Sequence, residues 1–520
     1  MAADPPGAER PSRALLLSAF VIATCGLIYE LVAGAMASYL LGDSVTQFSL
    51  VIGTYLSAMG LGSYLSRYLD RGLLARFVEV ELAVALIGGL EAPVLFGLFV
   101  WSPAFRWLLY LQIGLIGALV GLELPLLIRI LERETSLKEL VARVLFLDYI
   151  GALAASLVFP LVMLPRLGLF RTSIAFGLIN AGVALWTTYL FQAAPSVLRR
   201  LRWMSAGVII ILLSVFVAAG PIEARLDANL FADPVVYRAA SPYQKIVLTH
   251  RDGDTRLFIN GALQFSTLDE HRYHESLVHP AMTAVEAPAR VLVLGGGDGM
   301  AVREVLRYDS VQHVTLVDLD PMITSIFTDR PELSALNRAS LSDPRVRVIN
   351  ADAFTYLEGR AAPAPGAQSP SDDVYDVVLV DFPDPNNHGL GKLYTTTFFS
   401  MLDRAVAEGG VVAVQATSPM WSPSAFWCIH RTMRHAGWQT RPYHAYVPAF
   451  GEWGFVLAGR SSPVRFGPLP EGLRFLDATT RDLLFHFPPD LAERPGPINR
   501  LDNQALVQLY EEDWRAMLKR

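Results

Sequence analysis

Residues 291–299, Val-Leu-Val-Leu-Gly-Gly-Gly-Asp-Gly, run an apolar strand straight into a glycine-rich turn, and Met300–Tyr308 then reads as a helix. A strand, a tight turn and a helix in that order constrain the fold strongly. Lacking Cβ atoms, the glycines let the backbone turn sharply and come close to a ligand, while the helix start offers free N–H groups. A second strand, Val314-Thr-Leu-Val-Asp318, ends in a carboxylate 20 residues beyond Asp298. That is the interval at which an acid takes ribose hydroxyls in nucleoside-binding α/β domains. Methyltransferases on such a sheet place an acid at the position of Val293, and this chain has none there.

The pattern continues as strand and helix in alternation, with strands expected at 290–294, 314–318, 346–350, 376–381 and 411–415. Alternation of this kind implies a mostly parallel sheet. Ahead of it, Tyr237–Phe265 reads as hairpin strands, punctuated by His250-Arg-Asp-Gly-Asp254 and Asn260-Gly261. Ala361–Asp373, rich in Pro, Ser and Ala, reads as a disordered surface loop. Everything beyond 480, including Leu501–Leu518, reads as helix.

The first 220 residues are of another kind. The chain is 52% hydrophobic, and the excess lies at the front. Apolar runs fall near 14–41, 45–66, 77–101, 107–128, 144–165, 172–193 and 204–220, each close to the ~20 residues that cross a ~30 Å hydrocarbon core. The first run is too long for a signal peptide and is followed by further spans. The expected fold is therefore a multi-span α-helical membrane domain followed by an α/β Rossmann-like, methyltransferase-type domain with an N-terminal β-hairpin subdomain. The expected boundaries are 1–220, 221–289, 290–480 and a helical tail at 481–520.

Twelve Lys and Arg residues fall on one side of these spans, among them Arg67, Arg71, Arg129 and Arg199, against four on the other, Arg106, Arg166, Arg171 and Arg225. The positive-inside rule then places the amino terminus in the cytoplasm, and seven crossings would put the soluble domain outside. If 204–220 lies in the interface, six crossings return that domain to the cytoplasm, which is the face expected here on functional grounds. Glu30, Glu123 and Asp148 lie inside apolar runs, where a carboxylate must be protonated, paired or wet. They read either as interhelical glue, alongside Gly117-xxx-Gly121, or as a site for a cationic ligand. The formal charge of −6 gives no sign of nucleic-acid binding. Cys25 and Cys428 suggest neither a disulfide framework nor a metal site.

Seven ordered blocks, Ser241-Pro-Tyr-Gln244, Asn260-Gly-Ala-Leu-Gln264 with Asp269-Glu-His-Arg-Tyr-His-Glu275, Gly295-Gly-Gly-Asp-Gly299, Val317-Asp-Leu-Asp320, Asn350-Ala-Asp-Ala-Phe354, Asp381-Phe-Pro-Asp-Pro385 and Leu393-Tyr-Thr-Thr-Thr-Phe-Phe399, resemble those of the spermidine synthase (polyamine aminopropyltransferase) family. The resemblance covers about half of the chain, and its membrane-bound form accounts for the amino-terminal domain. It implies transfer of an aminopropyl group from decarboxylated S-adenosylmethionine to putrescine or a related polyamine, with no cofactor beyond that co-substrate. Its expected partners are the nucleoside donor, the diamine acceptor and the lipid bilayer of the plasma membrane, and family habit implies a homo-oligomer.

By the same resemblance Asp381 is the catalytic base. Gln244, Gln264, Asp298, Asp318 and Asp352 bind the donor: Asp318 at the ribose, Asp352 at the adenine amino group, Asp298 at the aminopropyl ammonium. Tyr273, His274 and Asp384 hold the acceptor. Taken singly, each such residue also has a plainer reading, an Asp as a turn or helix cap and Tyr273 and His274 as packing beneath the hairpin. The chain departs from the family at Phe382 and Pro383, expected to form a bulkier gate, and at Gln415-Ala-Thr-Ser418, where Thr417 replaces an acid. Two other classes remain open, a small-molecule methyltransferase using S-adenosylmethionine and a non-catalytic membrane polyamine sensor or transporter.

Overall fold

The computed structural model describes residues 9–41, 44–102, 104–132, 137–190, 193–361, 374–461 and 465–517. The chain divides into two compact units, Met1–Ala232 and Asp233–Arg520. The proline-rich segment 362–373 lies outside the described residues.

The first unit is helical. Five of its helical segments are long and apolar enough to cross a membrane: Leu17–Ser38, Thr46–Tyr68, Phe105–Leu131, Leu137–Leu190 and Pro195–Val217. The run expected as one span at 77–101 is two helices, Leu73–Gly89 and Glu91–Trp101, bent by 41°. The runs expected near 144–165 and 172–193 are continuous in helix, with a π-helical turn at Phe159–Met163 and a kink at Gly168, whose φ of +70° is open to glycine at little cost. Pro195–Val217 has 23 residues, longer than the apolar run 204–220 suggested.

Close helix packing explains the small residues. A Cβ on Gly117 would come within 2.7 Å of the Tyr55 carbonyl oxygen, and one on Gly121 within 2.1 Å of that of Met59. These two glycines let Phe105–Leu131 lie directly on Ser44–Leu65. Glu30 and Glu123 are buried, and so are Glu81 and Glu91, which the sequence reading did not single out.

The second unit opens with an antiparallel sheet in the order β1 (Val235–Ala240), β2 (Lys245–Arg251), β3 (Asp254–Ile259), β4 (Ala262–Ser266). Its two tight turns have positive φ at Asp252 and Gly253 and at Asn260 and Gly261, the backbone that suits the twist of a two-residue hairpin loop. A seven-stranded sheet follows. Its members are β5 (Arg290–Gly295), β6 (His313–Asp318), β7 (Val346–Asn350), β8 (Tyr375–Asp381), β9 (Val406–Gln415), β10 (Gln439–Val447) and β11 (Gly451–Gly459), in the order β10-β11-β9-β8-β5-β6-β7. Strands β5 to β9 pair in parallel, and β10 and β11 add an antiparallel edge.

Fully buried Val and Leu fill both faces of β5 and β8, as expected for a parallel sheet covered on both sides. From β5 the chain winds outward to β6 and β7, then returns to β8 on the other side. The carboxyl ends of β5 and β8 thus form the switch point at which open α/β sheets bind ligands. The tail differs from expectation. Beyond 480 it is helical at Ala478–Leu483 and Ala505–Met517, while most of the stretch between is irregular. Pro488, Pro489, Pro495 and Pro497 explain this, since proline lacks the N–H a helix needs.

Candidate active site

At the switch point Gly295 pairs with Asp381 across β5 and β8. Gly295 has φ +83°, and a Cβ there would strike the Asp381 carbonyl oxygen at 2.1 Å. A Cβ on Gly297 would meet the Asp318 carboxyl group at 2.7 Å. The glycines thus bring two strand-end carboxylates against one turn. A cleft of about 450 Å³ opens over them.

All nine residues singled out in the sequence line this cleft. Gln244 and Gln264 reach it from the hairpin sheet, and Gln264 donates to the Ala262 carbonyl oxygen at 3.1 Å. Asp318 accepts from the backbone N–H of Gly297 at 3.0 Å and of Asp320 at 2.9 Å. Burial nevertheless pushes its carboxyl up to about 6. Asp298 accepts from the Met300 N–H at 2.9 Å, and burial raises its pKa too, with the His274 imidazole opposing. Asp352 accepts from the Thr355 N–H at 3.0 Å and from Lys392 Nζ at 2.9 Å. Against the effect of burial, that ammonium holds Asp352 below the ordinary range.

Asp381 receives the Tyr273 hydroxyl at 2.6 Å. Burial pushes its carboxyl up to about 6, the nearby Asp298 adds to the rise, and His274 and the Tyr273 hydrogen bond oppose it. Burial and the facing Asp381 raise the Tyr273 phenol well above its usual value, so it stays a proton donor. Tyr273 and His274 sit on the helix Glu270–Thr283. His274 Nδ1 lies 2.8 Å from both the carbonyl oxygen and Oε2 of Glu270. Burial alone would push Glu270 up, but His274 and Arg303 hold it at about 2. Glu270 is thus a fixed anion behind the site.

Asp384 is half-buried with three neutral donors: Tyr510 at 2.8 Å, Thr417 Oγ1 at 3.2 Å and Gln415 Nε2 at 3.4 Å. Thr417, read in the sequence as a lost acid, therefore serves the neighbouring acid as a hydroxyl donor. Phe382 and Pro383, expected to form the gate, both line the cleft beside Asp381, and the Phe382 ring is largely buried, edge-on against Tyr394 and Phe398.

Sequence reasoning missed Lys392 and Tyr510, which also line the cleft, while Trp453, in the segment Glu452-Trp-Gly-Phe455 that resembles a late pocket segment of the family, lines it as well. Lys392 precedes the block Leu393–Phe399 directly, so adjacency to that block was the available signal. Tyr510 lies 126 residues from its partner and had none. Among the described residues no group of three or more His, Cys, Asp and Glu could hold a metal ion.

Residues 270–465 match the family model described as a spermine/spermidine synthase domain. Over almost its whole length the chain is also similar to three curated proteins. It is 50% identical to "Polyamine aminopropyltransferase 1" of Ralstonia nicotianae, covering 99% of this chain and 98% of that one. It is 49% identical to "Polyamine aminopropyltransferase" of Leptospira interrogans, over 97% and 99%. It is 37% identical to the protein of the same name from Mycobacterium tuberculosis, over 96% and 97%.

Proposed function

This chain belongs to the polyamine aminopropyltransferase family, and from that premise we propose that putrescine or a related diamine is its acceptor, with Asp381 as the base. The enzyme transfers the aminopropyl group of decarboxylated S-adenosylmethionine to an amine. The amine lone pair attacks the CH₂ beside the sulfonium, the C–N bond forms as the C–S bond breaks, and the electron pair passes to sulfur, giving neutral methylthioadenosine. A proton must leave the attacking ammonium to free that lone pair, and the new secondary ammonium stays protonated at neutral pH. A primary amine with a pKa near 10 is mostly protonated at neutral pH, so a carboxylate has to orient it and take its proton.

One observation carries the assignment of the base: Asp381 lies half-buried at the switch point, held by Tyr273 at 2.6 Å, with its pKa pushed up to about 6 by loss of water around the carboxyl. A base near 6 accepts a proton more readily than an ordinary carboxylate and is still ionised at neutral pH. In our reading Asp318, Asp298, Asp352, Gln244 and Gln264 bind the donor, while Tyr273, His274 and Asp384 hold the acceptor. Asp352 keeps a role at the adenine amino group because a carboxylate has more acceptor positions than Thr355 and Lys392 fill.

The helical unit, in the same reading, is a plasma-membrane anchor and Asp233–Arg520 faces the cytoplasm. The five long apolar helices support the anchor. The donor supports the face: a nucleoside with a permanent sulfonium and an ammonium does not cross hydrocarbon unaided, so the cleft must open where the donor is made. The acceptor is tested by incubating the full chain with decarboxylated S-adenosylmethionine and a panel of diamines, then weighing the amine products. Spermidine from putrescine is expected. No product from putrescine beside efficient use of a longer amine would overturn that acceptor.

A further inference from the structure

The carboxyl-terminal helix Ala505–Met517 is fastened at both ends. At its start Leu506 and Val507 are buried, and the Leu506 N–H donates to Asn499 Oδ1 at 3.2 Å. Asn499 in turn donates to the carbonyl oxygens of Gly391 and Tyr394 at 2.9 and 3.1 Å. Near its end the Asp513 carboxylate accepts from the backbone N–H and hydroxyl of Ser424 at 2.8 and 2.9 Å, at the start of the helix Pro423–His435. Leu506, Tyr510 and Asp513 fall four and then three residues apart, which sets them on one helix face. The two fastenings therefore hold Tyr510 between them, with its hydroxyl 2.8 Å from Asp384 in the cleft.

Asp384 is a half-buried acid whose hydrogen bonds, among the described residues, come from the neutral groups Tyr510, Thr417 and Gln415. Loss of water around its carboxyl raises the pKa, and the three donors oppose that rise and favour the ionised form but leave its charge unmatched. A desolvated anion without a cation is costly. A diamine carries a second ammonium that does not react, and this is the counter-charge the site lacks. We propose that Tyr510 is a positioning residue for acceptor selectivity: it holds Asp384 as an anion facing the non-reacting ammonium of the acceptor, so that the tail helix favours diamines over monoamines. Burial and Asp384 both raise the Tyr510 phenol, so it remains a donor throughout the working pH range. The inference rests on the reading of this cleft as an aminopropyl-transfer site with a diamine acceptor.

The test uses steady-state kinetics of the full chain with decarboxylated S-adenosylmethionine, comparing putrescine with the primary monoamine of equal carbon length. Losing a hydrogen bond to a charged group is worth roughly tenfold or more in binding. Tyr510→Phe should therefore raise KM for putrescine by about that factor, with kcat moving less than about threefold and monoamine efficiency changing far less. In an Asp384→Asn background the same substitution should add nothing, since the group it acts through is gone. Thr417→Val removes the other hydroxyl on the same oxygen and should raise KM in the same sense, which keeps the question open to measurement if Tyr510→Phe folds poorly. An unchanged putrescine KM, an equal loss with the monoamine, or an additive loss on top of Asp384→Asn would each overturn the proposal. Wild-type protein that releases no methylthioadenosine with any amine would instead overturn the reading of the cleft itself.

Discussion

Burial both equips Asp381 for the role of base proposed above and limits the pH range in which it can fill it. With its carboxyl pushed up to about 6, the base is ionised above that pH and protonated below it. In the free enzyme, kcat/KM for the acceptor should therefore fall about tenfold per pH unit below pH 6. Asp381→Asn should lower turnover by roughly 10²–10⁴ and remove this acid limb, with donor KM little changed. Asp318 titrates in the same range, so Asp318→Asn is the control, expected to raise donor KM and keep the limb. Rate profiles across pH 4.5–8 for the three proteins decide the matter, and an intact limb in Asp381→Asn would remove that residue from the mechanism. The nine side chains expected at the site were legible because each lies in or beside a strand end or a short motif, where sequence position fixes spatial position. Tyr510 was not, because a tyrosine in an amphipathic tail helix looks the same whether it faces solvent, core or ligand.

Among the elements, the helix Glu270–Thr283 does two tasks with neighbouring residues. Tyr273 and His274 face the cleft, while Glu275 is buried and accepts the backbone N–H groups of Arg474, Phe475 and Leu476 at 2.8, 2.9 and 2.9 Å. The last residue of the motif is therefore a brace for the irregular segment after β11, not a substrate contact. Glu275→Ala leaves those N–H groups without this acceptor and should cost about 3 kcal/mol of stability. Thermal unfolding should show a lowered midpoint, and the protein that remains folded should keep near-normal donor and acceptor KM. A normal midpoint with a lost activity would place Glu275 in the chemistry instead. The strands of the parallel sheet could be read from their apolar runs and the hairpins from Asn260-Gly261 and Asp252-Gly253. The tail could not, because its apolar residues suggested a helix that the four prolines interrupt.

For the whole molecule, the helical unit was legible as apolar runs, but its bends were not. Neither the 41° turn around Leu90 nor the kink at Gly168 carries a hydropathy signature, and Glu81 and Glu91 vanished into the run they interrupt. Pro195–Val217 is long enough to cross, and in the seven-span reading of the sequence the count of Lys and Arg and the location of the donor pull the catalytic unit to opposite faces. Protease added outside sealed spheroplasts should spare residues 235–520 if the donor decides the matter, and digestion from outside would contradict the cytoplasmic face. In the role proposed for it, Asp298 supplies a negative charge where decarboxylated S-adenosylmethionine carries only an ammonium, whereas the ordinary donor carries a carboxylate there. At ~4 Å and an effective dielectric near 20, that repulsion is about 4 kcal/mol, or several hundredfold in affinity. The decisive measurement offers both donors, each with putrescine, and identifies the released nucleoside by mass. Methylthioadenosine is expected from the decarboxylated donor alone, and release of S-adenosylhomocysteine from the ordinary donor would overturn the assignment of Asp298.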